Sequence, residues 1–335
     1  MTIKESAIYY HSLGISTVPV GKDKLPRKKE TDIHEYGWKK HQSNLIYPNG
    51  LFDECYGIGI VCGFADIECI DIDCKYDLTG KLFDEYKKLI NSLDKNLLSK
   101  LVVEKSVSGG YHFIYKCKKI EGNKKLANRY TTDTEKELKP NENILVLIET
   151  RGIGGYFACY PMIGYELVYK DFSKLEYITE DERQTLFDCA VTFNEVYDEP
   201  YVKKEYQELI NNENSPFKDY NNRADILDLL QSEGWKVKLQ RGKKTLLLRP
   251  GGTGKWSADW DSELRKFYVF TSSSQFESGK AFAPSAVLCT LKFGGNYSEC
   301  AKWLLKNGYG GKPFISEDRR YTDYQFLTKN TYNIR

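Results

Sequence analysis

The chain has 335 residues, of which 41% are hydrophobic and 14% aromatic; that is enough for two domains or one large domain with an appendage, and it argues against general disorder. Lys and Arg total 49 against 47 Asp and Glu, a net charge of +2, so no global basicity advertises nucleic acid and any such surface has to be local. The nine cysteines contain no Cys-x-x-Cys pair and the four histidines do not cluster with them, which excludes the usual zinc spacings and a small disulfide frame.

No apolar run reaches the roughly 18 residues of a membrane span and the start is not of signal type, so the expected setting is a bacterial or phage-infected host cytoplasm with no membrane partner. In chain order, residues 3–13 read as a short helix ending at Gly14, followed by a β-branched strand over 15–20. A loop then carries Lys22, Lys24, Arg27, Lys28 and Lys29 and leads to Trp38-Lys39-Lys40-His41. Such a run fits a solvated face, and Trp38 among the cations also suits phosphates and bases. Gly57-Ile-Gly-Ile-Val-Cys-Gly63 reads as a strand whose glycines allow close backbone approach, and it is not a Gly-x-Gly-x-x-Gly fingerprint. A strand containing Asp71 and Asp73 follows, then a helix over about 80–98. Strands at about 101–106 and 111–116 flank the turn Ser108-Gly109-Gly110, a charged and mobile stretch spans 118–143, and 144–148 is apolar on both faces, as in a central strand. Glu149 ends it, before Arg151-Gly-Ile-Gly-Gly155 and a strand over 156–160 closed by Pro161. The simplest architecture is α+β, a mixed sheet with helices packed on it. An amphipathic helix over 180–196, with Thr179 as its N-cap, and a polar linker over 198–222 complete this part.

Asp71 and Asp73 share one face of their strand while Ile70 and Ile72 fill the other, because successive side chains alternate. Two hard carboxylates so placed suit Mg²⁺ together with phosphate oxygens, and they equally fit an acidic turn after a core strand. If neighbouring strands bring Glu149 beside them, three acids can balance the charge of a two-metal centre better than one Asp pair. His112 follows the Gly-Gly turn, where backbone amides can approach phosphate and an imidazole can donate to it, and Ser106 and Ser108 add hydroxyls.

Asp71-Ile-Asp73, then Ser108-Gly-Gly-Tyr-His112-Phe-Ile-Tyr115, then Ile148-Glu-Thr-Arg-Gly-Ile-Gly-Gly-Tyr156 with Pro161, resemble the three motifs of the archaeo-eukaryotic primase superfamily. The nearest branch is the primase-polymerases of phages, plasmids and other mobile elements, and the likeness covers about residues 5–165. It implies an RRM-like catalytic core in which Asp71, Asp73 and Glu149 bind Mg²⁺ or Mn²⁺ and His112 contacts the phosphates of the incoming nucleotide. Ser106, Ser108 and Gly110 would line that pocket, with Arg151 and Lys24 as further nucleotide or template contacts. Tyr160-Pro161-Met162 departs from the branch's common Pro-Pro-Ser ending, which alters the pocket edge. The implied function is a DNA-dependent primase-polymerase using nucleoside triphosphates and a single-stranded DNA template. A replication-initiation module that keeps the primase fold but only binds DNA, and a metal-dependent nuclease, are the other readings.

The expected division is a catalytic domain over 1–177, a helix and linker over 178–222, a small α+β domain over 223–310, and a tail or linker over 311–335 leading towards a further domain such as a helicase. Within 223–310 the reading is helix 225–233, strands 235–240, 244–249, 254–259 and 267–271, and helices 284–293 and 297–307. Gly251-Gly-Thr-Gly-Lys255 is not a P-loop, since Arg249 and Trp256 occupy required positions. This region weakly resembles the zinc ribbon of bacterial replicative primases, but no Cys or His lies between Trp235 and Lys280, so no zinc is expected. Its core would be Trp235, Leu246, Trp256, Trp260, Phe267 and Tyr268. Lys236, Lys238, Arg241, Lys243 and Lys244 would either grip template or form a solvated basic hairpin.

Overall fold

The computed structural model describes residues 1–32, 34, 36–201, 207, 210 and 214–310. The chain divides into two compact units, Met1–Val196 and a second beginning at Tyr197. Among the described residues no helix is long and apolar enough to cross a membrane.

In the first unit, helix α1 (Ile3–Ser12) starts at a reciprocal cap in which Thr2 accepts from the Glu5 amide and Glu5 accepts from the Thr2 amide. Strands β1 (Thr17–Val20), β2 (Gly57–Val61) and β8 (Tyr156–Cys159) form a three-stranded sheet in the order β1-β2-β8. Gly59 is required there, because a Cβ would stand 2.9 Å from the Tyr156 ring and 3.0 Å from Val18. The larger sheet has six strands, β3 (Ile67–Ile72), β4 (Val102–Lys105), β5 (Tyr111–Lys116), β6 (Lys125–Tyr130), β7 (Ile144–Arg151) and β9 (Glu166–Tyr169), in the order β6-β7-β3-β5-β4-β9. Every pairing within these sheets is antiparallel.

Alternation along β3 gives the large sheet two different faces. Ile70 and Ile72 lie opposite Phe113 and Tyr111 of β5 and are covered by helices α2 (Leu82–Leu93) and α4 (Glu180–Val191). The α2 rings Phe83 and Tyr86 lie against Tyr111 and Phe113, and the Tyr86 hydroxyl donates to the Leu186 carbonyl at 2.9 Å. On the other face Ile67, Cys69, Val102 and Ile114 share a core with Ala7 and Tyr10 of α1, Ile58 and Ile60 of β2, and Phe157 of β8. This second layer covers only part of the face.

The sheet is thus antiparallel where the sequence reading expected a mixed one. The run 144–148 is a strand inside the sheet, as expected, lying between β3 and β6, although Ile144 at its start is exposed. The stretch 118–143 is not irregular throughout: β6 pairs with β7, and the short helix α3 (Asp133–Leu138) follows it, capped by Thr132 and Glu135. The expected strand at 156–160 belongs to the smaller sheet, and helix 80–98 is shorter, ending at Leu93. The first unit extends to Val196 and includes α4, which the sequence reading set apart in 178–222.

In the second unit five strands, β10 (Lys236–Arg241), β11 (Lys244–Leu248), β12 (Ala258–Asp261), β13 (Lys266–Val269) and β14 (Lys280–Phe282), form an antiparallel meander; β14 was not expected. Helices Pro284–Phe293 and Tyr297–Lys306 pack with Trp235, Trp260 and Phe267 in one core. Residues 198–222 are not simply linker, since Asp198 bridges to β14 and Pro216–Arg223 is a helix whose Phe217 and Tyr220 are buried. The expected tail over 311–335 lies outside the described residues, as does part of that linker.

Candidate metal centre

Antiparallel register builds one row of side chains across four strands. Asp71 on β3 lies directly opposite Glu149 on β7 and opposite His112 on β5, and His112 lies opposite Glu104 on β4. Directly opposed residues point to the same face, so Glu149, Asp71, His112 and Glu104 stand side by side at the edge of the covered region. Asp73, two residues on, joins them just past the end of β3. One carboxylate oxygen from each of Asp71, Asp73 and Glu149 lies within 4.8 Å of the others. All three are partly open to solvent, with side chains 15–18% exposed.

Two cations touch this group. Arg151 lies 2.6 Å from Glu149 and 3.4 Å from Asp71, and Lys75 lies 3.0 Å from Asp73. The compensation is incomplete. Burial raises the Asp73 carboxyl above its ordinary range, with the charge of Asp71 adding to it, and for Glu149 burial outweighs the opposing pull of Arg151. A cluster of hard oxygen donors held close together, with its negative charge only partly met, is a donor set that Mg²⁺ or Mn²⁺ fits.

His112 is nearly buried, against the ring of Phe157 at 5.2 Å and that of Tyr165 at 6.0 Å. Its Nε2 lies 3.6 Å from Asp71, and its Nδ1 lies 2.8 Å from Glu104. Burial opposes protonation of the ring, but the bond to Glu104 and the charge of Asp71 outweigh it and its pKa is raised. Burial likewise raises Glu104, against the lowering effect of His112.

The β4–β5 hairpin brings the remaining residues alongside. The Ser106 and Ser108 hydroxyls are 3.3 Å apart, and a side chain at Gly110 would collide with the Ile72 carbonyl, so glycine lets the turn lie against the end of β3. Lys24 arrives from the loop after β1 with a left-handed φ of 66°. Its carbonyl accepts from the Tyr156 hydroxyl at 3.0 Å and its ammonium lies 5.5 Å from the Tyr165 ring centre. Burial and the charge of Lys75 lower its pKa, while Asp71 and Asp73 act in the other direction. The three carboxylates, His112, Arg151 and Lys24 are therefore one electrostatic neighbourhood, with Ser106, Ser108 and Gly110 at its hairpin side.

Two participants escaped the sequence reading, Lys75 and Glu104. Glu104 was legible in principle, since a hairpin turning at Ser108-Gly109 pairs Lys105 with Tyr111 and hence Glu104 with His112. The basic hairpin of the second unit is less available than expected. Lys244 is buried, donates to the Tyr197 hydroxyl at 2.7 Å and lies 3.5 Å from Asp259, so it serves the fold; burial lowers its pKa and raises that of Asp259 to about 6. Lys243 lies 3.1 Å from Glu263, and Lys236 and Lys238 are exposed.

Comparison with models of known protein families gives no match, and comparison with curated proteins gives none either.

Proposed function

We propose that the first unit is a primase-polymerase catalytic core that joins nucleoside triphosphates on a single-stranded DNA template. The observation that carries this reading is the convergence of Asp71, Asp73 and Glu149 beside His112, four residues drawn from three motifs that lie far apart in the chain. The strand order β7-β3-β5-β4 supports it too. Counted by appearance these strands run 4-1-3-2, the antiparallel order of RRM-like cores, with α2 in the first crossover.

Asp71, Asp73 and Glu149 would hold Mg²⁺ or Mn²⁺, which when bound supplies charge neutralisation for the triphosphate and activates the attacking hydroxyl. His112 and Arg151 face the same centre and would bind phosphate oxygens, with the Ser108-Gly109-Gly110 turn beside them. Lys24, beside Tyr165 and near His112, would bind phosphate or template backbone. Tyr165 and Phe157 limit water around His112, which strengthens each of these charge contacts.

The test is primer synthesis and extension on single-stranded DNA with Mn²⁺ or Mg²⁺ and each set of triphosphates, using wild type and the Asp71→Ala/Asp73→Ala double variant. Template-dependent products that vanish in the double variant support the reading. Products retained in full by that variant refute it. DNA degradation without triphosphates would identify a nuclease instead, and DNA binding with no response to metal or triphosphate would identify a replication-initiation module.

A further inference from the structure

Glu104 is the one acid of the row that does not face the carboxylate group. It is fully buried at the centre of β4, and both of its oxygens are engaged: Oε2 lies 2.8 Å from His112 Nδ1, and Oε1 accepts from the Tyr160 amide at 2.5 Å. A carboxylate removed from water costs several kcal/mol unless strong partners repay it, and among the described residues its ion-pair partner is the His112 ring alone. Packing gives no reason for an acid there, because its same-face neighbours include Val102 and Leu167. The ring it holds is the one that borders Asp71.

We propose that Glu104 is the positioning residue of this site: its Oε2 accepts the hydrogen of His112 Nδ1 and thereby holds the ring with its Nε2–H towards the carboxylates and the bound phosphates. The role deepens the reading above and rests on it for the phosphate ligand. Its chemistry is specific to a carboxylate. Two donors, the His112 Nδ1–H and the Tyr160 N–H, converge on Glu104, so two acceptor oxygens are needed. Glutamine has the same shape but only one acceptor; with that oxygen on the Tyr160 N–H it turns its NH₂ towards Nδ1, which strips Nδ1 of its hydrogen and releases the ring. Aspartate is one methylene too short to span both. Glu104 touches no substrate in this scheme; it acts through the ring.

The experiment uses the full chain, ¹⁵N-labelled and free of metal, in long-range imidazole spectra, with His112 assigned through the His112→Asn variant. The expected wild-type spectrum shows Nδ1 protonated, and Glu104→Gln shows Nδ1 bare or averaging between its protonated and bare forms. Titration with magnesium tripolyphosphate, a probe with neither base nor sugar, is expected to weaken roughly tenfold in Glu104→Gln, the lower end of the range for a partner that orients a histidine ligand. The Glu104→Gln/His112→Asn double variant should bind no more weakly than His112→Asn alone. A bare Nδ1 in wild type, an unchanged ring in Glu104→Gln, or additive losses in the double variant each overturn the proposal. If Glu104→Gln does not fold, the wild-type spectrum decides. Failure of wild type to bind tripolyphosphate would refute the phosphate reading of the site, while the spectra still decide whether Glu104 sets the ring.

Discussion

Glu68 and Asp71 stand three residues apart on β3 and face opposite sides of one sheet, and the two acids meet opposite fates. Glu68 lies under α4 with no exposure, and its charge is fully answered: Arg183 donates to both oxygens at 2.5 and 2.8 Å, and the Tyr115 hydroxyl adds a third bond at 2.7 Å. Asp71 lies where the second layer stops, shares its surroundings with Asp73 and Glu149, and the three carboxylates have Arg151, Lys75 and, at 3.6 Å, His112 as their direct ion-pair partners. A buried acid with matched donors holds a fold together. Acids gathered at an open edge with charge to spare cost the fold something, and a cation can repay that.

The comparison is broken most severely by removing its open side. Asp71→Ala/Asp73→Ala should lower templated nucleotide incorporation by about 10³-fold or more, the loss of several kcal/mol of transition-state stabilisation, with chemical unfolding little changed. Substitution on the closed side should do the reverse. Glu68→Ala leaves Arg183 buried without its partner and should cost about 3–5 kcal/mol of stability, read as a fall in the urea midpoint at unchanged slope. If both variants change stability and activity equally, the distinction between the faces is wrong.

Cations should separate the faces next. Mn²⁺ or Mg²⁺ at a hundredfold excess over its dissociation constant should stabilise wild type by about 2.7 kcal/mol, visible as a raised melting temperature. Glu68→Ala, once folded, should respond as wild type does, and Asp71→Ala/Asp73→Ala should not respond. The smallest effect is in pH. In chelator, the raised pKa of Asp73 means that the folded state takes up a proton more readily than the unfolded chain. Its contribution is then fully present below the ordinary carboxyl pKa of 3.8 and is lost as pH rises through the folded value. Wild type measured against Asp73→Asn should therefore gain relative stability as pH falls through that window, and a constant difference would mean that the acids do not strain one another.

Much of the site was legible because its signals are local. Asp71 and Asp73 share a face by alternation alone, and Gly110 marks a hairpin that the structure explains by the close Ile72 carbonyl. Elements with strong punctuation, such as the helix after Pro284 and the β10–β11 hairpin, were also readable. The antiparallel sheet was not, because an apolar run such as 144–148 reports burial on both faces without saying whether helices or another sheet provide it. Strand β6 hid in the charged stretch 118–143 because it is the edge strand of its sheet, paired on one side only.

Local pattern in the chain marks the residues that the proposed chemistry needs: the paired aspartates, the acid ending 144–149 and the histidine after its glycine turn, since each depends on alternation and turn geometry within a few residues. Their register comes from long-range packing. That Glu149, Asp71, His112 and Glu104 form one row follows from pairings between residues up to 78 positions apart in the chain, from Asp71 to Glu149. Pairings at that separation are fixed by which faces the helices and the second sheet cover, a cooperative outcome of packing that no local pattern encodes.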